Sequence, residues 1–436
     1  MPSTPRAIAW FSLGVALAAG GPSLHAQRPA SSSQAVAADT LSATAKPAPP
    51  DSLVTPARPV SPPPATQSPS RTWYERLSLR GYAQIRYNRL LETNNQLVCS
   101  QCDRSIGNNG GIFLRRGRLV ISGDVHPRVY VYVQPDYGTD AAGVQHYLQI
   151  RDAYFDLSLD AKKEHRFRIG QSKVPFGFEN LQSSQNRLPL DRHDGLNSAV
   201  PNERDIGVFY YWASTTARAR FKTLNDSGLK GTGDYGVFGV GVMNGQTANR
   251  PEANNSLHNV VRLSYPFRLP SGQFFEAGIS GYSGRFVVPS RTAGVRVLPE
   301  YTDERVALSF VWYAQPFGVE GEYNWGTGPE YQAASNSIDE RSLQGGFVQT
   351  MYRWRTHDQV IQPFARLHSY HGGKKMEQDA RRYEVHELEA GVEWLPIPNF
   401  ELTAQYTMSD RVFEDAATVG NRQKGNFLRL QAQFNY

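Results

Sequence analysis

The sequence has few long apolar runs, few cysteines and no large excess of either charge. From residue 71 to the end, no window holds eighteen consecutive apolar residues, which excludes membrane-spanning helices there. Lysine and arginine number 46 against 40 aspartates and glutamates, and because the two signs are interspersed, the charge pattern does not indicate nucleic-acid binding. The mean hydropathy of -0.49 is that of a soluble protein, yet it also fits a membrane barrel whose strands turn one face to water.

The first seventy residues differ in composition from the rest. Residues 1–26 resemble a secretory signal, in which Arg6 precedes an apolar stretch and Ala26 ends a small-residue cleavage site. This pattern predicts export; a retained N-terminal anchor is the alternative, but the apolar stretch is too short to span a bilayer. Residues 27–70 are rich in proline, serine and alanine, which predicts a disordered linker. Residues 71–436 remain as one large domain.

Polar and apolar residues alternate with a period of two from residue 77 to the end. From Leu77 to Tyr87 the odd positions are mostly apolar and the even positions mostly polar, and the same alternation runs from Leu428 to Tyr436. Since a strand sends successive side chains to opposite faces, each segment has one apolar face and one wet face. The last strand ends on an aromatic residue, which resembles the C-terminal signal by which outer-membrane barrels are recognised for insertion.

About sixteen such segments can be counted, and the connections between them alternate in length. These features predict an all-β fold, a transmembrane antiparallel β-barrel with short periplasmic turns and long extracellular loops. One connection, from Ser214 to Gly233, is long at the end where short turns are expected. The predicted long extracellular loops lie near residues 90–111, 175–204, 285–303, 326–340, 371–381 and 411–425.

The polar faces of several strands carry arginines, which the strand phase directs into the lumen. A guanidinium group is always charged and offers forked donors that match phosphate or carboxylate oxygens. Rings of such side chains set anion selectivity in pores. The predicted pore-lining basic residues are Arg80, Arg86, Arg116, Arg118, Arg166 and Arg168, and Arg262, Arg366 and Arg429 share the same phase.

Acidic residues take the inward phase as well, mostly in later strands. The barrel should therefore carry a transverse field, with one positive and one negative wall, which suits small polar solutes in general at least as well as strict anion selection. Any single arginine can also be explained as an ion pair across neighbouring strands. The inward acidic residues are Asp124, Asp152, Asp156, Glu276, Glu320, Glu322, Glu387, Glu389, Glu393 and Glu401.

Cys99 and Cys102 lie together in the first predicted outer loop. A redox motif of this spacing requires a helix N-terminus in a thioredoxin-like unit, and a zinc site requires a second ligand pair nearby; neither is evident. In an oxidising compartment the pair predicts a small loop disulfide. No metal site and no cofactor are predicted.

Several segments together resemble a known family. They are Arg80-Gly81-Tyr82, Phe113 to Leu119, Arg168 to Gly177, Glu203 to Val208 and Met243 to Gln246. With them, the chain from residue 77 to 436 resembles the phosphate-selective porin O and P family of Gram-negative outer membranes. The resemblance implies a sixteen-stranded, trimeric barrel whose third outer loop, Pro175 to Arg204, folds inward. That constriction loop would contain Arg187, Asp191 and Arg192.

The resulting hypothesis is an outer-membrane porin, exported through the periplasm, that gives passive diffusion of small polar solutes and leans to anions such as phosphate. Its expected partners are those solutes, outer-membrane lipid and further copies of the chain in a homotrimer. A structural or adhesive barrel with no open channel is the alternative. A lipid-modifying barrel enzyme is a weaker one, because no serine and histidine occur at a diagnostic spacing and no catalytic motif is found.

Overall fold

The computed structural model of the protein describes residues 72–97, 111–138 and 147–436. Three predictions lie outside these residues: the signal sequence at 1–26, the linker at 27–70, and the disulfide between Cys99 and Cys102. They stay predictions.

The described residues form sixteen antiparallel strands in one sheet. Each strand pairs with the next along the chain, and the last pairs with the first, so the sheet closes into a barrel. The short segment Trp354–Thr356 pairs with residues 359–361, on the same neighbouring strand as the strand that ends at Tyr352, and it continues that strand. The strands are β1 Leu77–Leu90, β2 Ile112–His126, β3 Val129–Gly138, β4 Tyr147–Ser158, β5 His165–Lys173, β6 Arg204–Trp212, β7 Phe238–Met243, β8 His258–Arg268, β9 Phe274–Phe286, β10 Tyr301–Trp312, β11 Phe317–Gln332, β12 Ser337–Tyr352, β13 Gln359–Gly373, β14 Arg382–Ile397, β15 Phe400–Asp415 and β16 Thr418–Asn435.

The barrel is apolar outside and charged inside. On β1, Leu79 and Ile85 are 68% and 48% exposed, whereas Gln84 and Arg86 on the opposite face are each 2% exposed. The same inversion holds around the barrel, and it is the arrangement of a strand wall between lipid and an aqueous lumen. Among the side chains with almost no exposure are six arginines: Arg86, Arg262, Arg305, Arg366, Arg411 and Arg429. The predicted fold class is confirmed.

Two of the predicted extracellular loops, 326–340 and 411–425, are largely strand. β11 and β12 stay paired as far as Gln332 opposite Ser337, and β15 and β16 as far as Asp415 opposite Thr418. Both prediction errors have the same cause. Beyond the apolar band a hairpin is polar on both faces, so the period-two signal disappears although the hydrogen-bonded ladder continues.

The long connection at the short-turn end contains a helix. Two α-helices occur in the described residues, α1 Asp194–Ala199 and α2 Thr215–Asp226, besides 3-10 turns at Trp73–Arg76 and Gln378–Ala380. Ser214 caps α2 by accepting from the amide of Ala217 at 3.3 Å. No helix within 72–97, 111–138 and 147–436 is long and apolar enough to cross a membrane.

Helix α2 packs its apolar side against the barrel at this end. Phe221 clusters with Val237, and Leu224 clusters with Phe274 and Tyr313. We call residues 213–237 the periplasmic connector. It explains the long connection from Ser214 to Gly233, because a helix that covers apolar side chains at the barrel mouth needs more chain than a turn.

Closure of the barrel depends on a glycine in β1. Gly81 exchanges two backbone hydrogen bonds with Tyr436, and a Cβ at Gly81 would lie 2.2 Å from the Arg118 carbonyl oxygen and 2.7 Å from the Tyr436 ring. We expect Gly81→Ala to destabilise the barrel by about 1–3 kcal/mol, measured from the midpoint of urea unfolding. Gly117→Ala on β2 is the matched control, because its nearest atom would be 3.7 Å away. Equal effects of the two variants would contradict this explanation.

Candidate solute pathway

The connection between β5 and β6, residues 174–203, folds into the barrel, and we call it the inner loop. Nearly all of its residues are buried. The Ser184 hydroxyl lies 2.5 Å from that of Tyr82 on β1, while the Glu179 amide donates to Glu322 on β11 at 3.1 Å. Because these contacts reach widely separated strands, the inner loop crosses the lumen.

Asp191 attaches the middle of the inner loop to β1 and β16, the two strands whose pairing closes the barrel. Its carboxylate accepts from Arg429 on β16 and lies 3.5 Å from the guanidinium of Arg86 on β1. Arg86 also donates to the Leu190 carbonyl at 3.1 Å and to Gln431 at 2.7 Å. Arg86, predicted to line the pore, is therefore engaged in holding the inner loop.

Asp194, the first residue of α1, makes a second attachment. It accepts from Arg411 on β15 at 2.8 Å and from the ammonium group of Lys374. Burial alone would raise the pKa of the Asp194 carboxyl, but Arg411 and Lys374 hold this pKa well below its usual range. The carboxylate stays charged, and the cations around it stay compensated.

Asp194 also belongs to a group that could suit a metal ion by spacing. One potential ligand atom each from Asp194, His368 and Glu387 lie within 4.8 Å of one another. The same carboxylates already accept from Arg411, which donates to Glu387 at 2.7 Å and to Asp194 at 2.8 Å. Since cationic side chains neutralise these oxygens, we assign the group to loop attachment and not to metal binding.

Two of the cavities that the described residues form beside the inner loop are rich in charged side chains. The outer cavity, about 330 Å³, lies toward the end with the long connections, and the periplasmic chamber, about 770 Å³, lies toward the end with the short turns. Charged residues of the outer cavity are Arg115, Arg116, Arg118, Arg151, Arg187, Arg192 and Arg250, with Asp136, Asp191, Glu203 and Glu377. Those of the periplasmic chamber are Arg80, Lys163, Arg166, Arg168, Lys173, Arg204 and Arg218, with Asp124, Asp152, Asp156, Asp226 and Asp234.

A network of charged side chains lies where the two cavities meet. Residues 183, 185 and 186 of the inner loop line the periplasmic chamber, and Arg187 lines the outer cavity, so this segment separates them. Glu203 lies at the centre of the network, 3.1 Å from Arg187 and 3.6 Å from Arg151. We call this group the constriction network: Arg118, Asp136, Arg151, Asp152, Arg187, Glu203 and Arg204.

Glu203 holds an unusual backbone conformation in this network. Its φ of 67° is left-handed, which costs a non-glycine residue roughly 1–2 kcal/mol. Its carboxylate also contacts Arg204, and Arg204 in turn lies 2.9 Å from Asp152. Burial alone would raise the pKa of the Glu203 carboxyl, but Arg204 and Arg192 help to hold this pKa well below its usual range. The ion pairs thus stabilise a strained residue in position.

The structure places the sequence-predicted pore-lining and constriction-loop residues at the two cavities, except Arg86, which lines neither. Arg116 and Arg118 line the outer cavity together with Arg187, Asp191 and Arg192 of the inner loop, and Arg80, Arg166 and Arg168 line the periplasmic chamber. Most of these arginines are paired with carboxylates. The distances are 3.1 Å from Arg118 to Asp136, 2.7 Å from Arg166 to Asp234, and 2.8 Å from Arg168 to Asp156.

Arg116 differs from these paired arginines. It is 7% exposed, yet it makes no hydrogen bond or ion pair with any residue of 72–97, 111–138 or 147–436. Its Nε atom is buried without a partner among those residues. The outer cavity therefore contains a guanidinium whose charge no neighbouring carboxylate contacts.

The alternation of polar and apolar positions does not predict that two arginines of the outer cavity face the lumen. Arg115 and Arg151 are each passed over in the pairing register, which jumps from Arg116 to Leu114 on β2 and from Asp152 to Ile150 on β4. Such β-bulges turn an extra side chain toward the neighbouring face and are common beside functional sites. For Arg151, the sequence contains a signal of the bulge: Pro135 lies opposite it on β3, and a proline has no amide hydrogen to donate to the ladder.

A closed barrel with an apolar outer face and a charged lumen crossed by a loop is the architecture of an outer-membrane porin. The family model described as phosphate-selective porin O and P matches residues 91–297 and 290–436, and the chain belongs to this family. The protein is thus a porin of the bacterial outer membrane. No curated protein matches the chain.

Solved structures share the fold. The outer-membrane channel DcaP of Acinetobacter baumannii is 13% identical, with a TM-score of 0.50, over 83% of this chain and 97% of that chain. Salmonella typhi OmpF, solved in complex with daunomycin, is 12% identical with the same TM-score and the same shares. At such identities the likeness concerns the barrel alone.

We expect Asp194→Asn to release the inner loop. The variant leaves Arg411 and Lys374 buried without their shared carboxylate, and breaking a buried pair costs about 3–5 kcal/mol. The midpoint of urea unfolding should fall, because the buried cations lose their partner. The single-channel conductance should rise, because the released inner loop obstructs the lumen less. Asp410→Asn, one residue before Arg411, is the control because its partner Arg422 is exposed and such pairs contribute about 1 kcal/mol or less. Unchanged conductance in Asp194→Asn would contradict the attachment.

Proposed function

We propose that small anions, phosphate among them, diffuse passively from the outer cavity past the constriction network into the periplasmic chamber. Of the residues that the structure describes, seven arginines and four carboxylates line the outer cavity. The described lining of the periplasmic chamber also has more cationic than acidic side chains. An anion on this route meets a positive potential before and after the narrowest segment, and lumen charge of one sign selects the opposite ion.

Arg116 is the observation that carries this proposal. The other predicted arginines of the outer cavity have carboxylate partners, which reduce their attraction for a passing ion. Arg116 has none among the described residues, and its guanidinium offers forked donors for an oxyanion. We assign it the role of first anion contact, with Arg118 and Arg151 completing the basic wall.

The acidic wall does not oppose this preference, because its glutamates are engaged by the inner loop or by the arginines that attach this loop. Glu322 accepts from amides of the inner loop, Glu389 pairs with Arg366, and Glu387 pairs with Arg411. Within the described part of the chain, none of these glutamates lines the outer cavity or the periplasmic chamber. Of the positive and negative walls expected from the sequence, the solute therefore meets mainly the positive one.

In this proposal the protein is a channel without catalytic activity. Two of the buried histidines are engaged at the inner loop: His193 lies 2.8 Å from Glu179, and His368 lies 3.2 Å from Asp194. These contacts fit loop attachment, and neither histidine has a serine partner among the described residues. A purely structural barrel is the competing function, and it predicts no stable open steps in a planar bilayer.

The test is the reversal potential of the purified protein across a potassium chloride gradient. We expect an anion-selective potential that Arg116→Gln weakens, with the permeability ratio falling about fivefold, because a unit charge 4 Å away contributes about 1 kcal/mol even in water. Arg422→Gln is the control, since Arg422 is exposed and paired with Asp410 outside the two cavities. A cation-selective wild-type channel would overturn the proposal.

We further propose that the protein works as a homotrimer in outer-membrane lipid, as the family resemblance implies. The wide apolar outer face can contact both lipid and neighbouring copies. Static light scattering of the protein in detergent, corrected for bound detergent, should give three times the chain mass. A monomeric mass in several mild detergents would contradict this assembly.

A further inference from the structure

Four tyrosines line the periplasmic chamber beside its charged groups. They are Tyr130 and Tyr132 on β3, Tyr154 on β4 and Tyr235 of the periplasmic connector. All four are partly exposed. The chamber volume of about 770 Å³ falls in the range of small-molecule sites, roughly 300–1,000 Å³. An inorganic anion needs neither this volume nor aromatic walls.

The rings and guanidinium groups of the chamber stack in one continuous series. Tyr132 and Tyr154 are nearly parallel, with ring centroids 5.1 Å apart and planes 10° apart. The Arg168 guanidinium carbon lies 4.0 Å from the Tyr154 centroid and 5.1 Å from that of Tyr235, and the Arg80 carbon lies 5.9 Å from that of Tyr132. We call these five residues the tyrosine–arginine stack.

The tyrosine–arginine stack is held in place and still has unused binding capacity. Asp156 fixes Arg168 through two hydrogen bonds of 2.8 and 2.9 Å. Arg80, at the other end, makes no hydrogen bond or ion pair with any residue that the structure describes. The phenol groups of Tyr154 and Tyr235 likewise have no hydrogen-bond partner among those residues. A rigid aromatic surface thus adjoins an uncompensated cation.

We propose that the periplasmic chamber binds small aromatic carboxylates. The faces of Tyr132 and Tyr154 stack on each other and on Arg168, so the ring of the solute packs against their exposed edges, and its carboxylate meets the guanidinium of Arg80. Aromatic pairs contribute beyond the area they bury, and a forked cation matches a carboxylate. This inference rests on the proposed function, because only an anion-conducting pathway would deliver such solutes to the chamber.

The experiment measures how benzoate, present on both sides of a planar bilayer, reduces the chloride current of the full-length channel. Cyclohexanecarboxylate has the same charge and similar size but no aromatic face. We expect benzoate to block at a concentration about two- to tenfold lower, as expected for one edge-to-face aromatic contact. The Tyr132→Ala, Tyr154→Ala double variant should lose this difference, and the corresponding double phenylalanine variant should keep it.

Tyr323→Ala is the matched control, because Tyr323 lies on the outer face of β11 and is 44% exposed. It should leave the benzoate block unchanged. Equal block by benzoate and cyclohexanecarboxylate in an anion-selective wild-type channel would overturn the aromatic site and leave the proposed function intact. A wild-type channel that is not anion-selective would instead overturn the proposed function. Loss of the difference in the phenylalanine variant would also contradict an aromatic contact with these rings.

Discussion

The ion pairs between the inner loop and the barrel wall are the interaction on which the rest of the structure depends. A buried carboxylate is costly unless a cation compensates it, and Asp191 and Asp194 are compensated by arginines from the closing strands and β15. Glu179 makes a comparable pair with Arg366 at 2.8 Å. These contacts determine which part of the lumen the inner loop fills. They thereby determine which part is left for solute.

The selectivity that we propose is a consequence of this placement more than of the total charge. The lumen contains acidic and basic side chains in similar numbers, and an empty barrel would present both. The inner loop and the arginines that attach it engage Glu322, Glu387 and Glu389, and the arginines of β2, β4 and β6 remain at the cavities. The periplasmic connector also holds the inner loop at the short-turn end of the barrel, since Gln182 of the inner loop donates to the Lys230 carbonyl at 2.8 Å.

Alternation in the sequence was enough to locate every strand, because a wall between lipid and water imposes one apolar and one polar side chain per repeat. It failed where that condition does not hold. The hairpins at 326–340 and 411–425 extend beyond the apolar band, and the bulges at Arg115 and Arg151 break the phase. The partners of the inner loop could not be predicted, because pairs such as Asp194 and Arg411 are 217 residues apart. Helix α2 was missed for a related reason: only its packing against the barrel explains it.

The pairing of β1 with β16 has a consequence for how the chain reaches its folded state. Gln84 and Gln433 are hydrogen-bonded across 349 residues of sequence, so β1 has one unsatisfied edge until β16 is in place. Contacts of such separation form slowly, and a partly assembled sheet exposes its apolar outer face to water meanwhile. The chain therefore has to be kept from aggregating until a lipid bilayer replaces water on that face, which makes folding and membrane insertion one event.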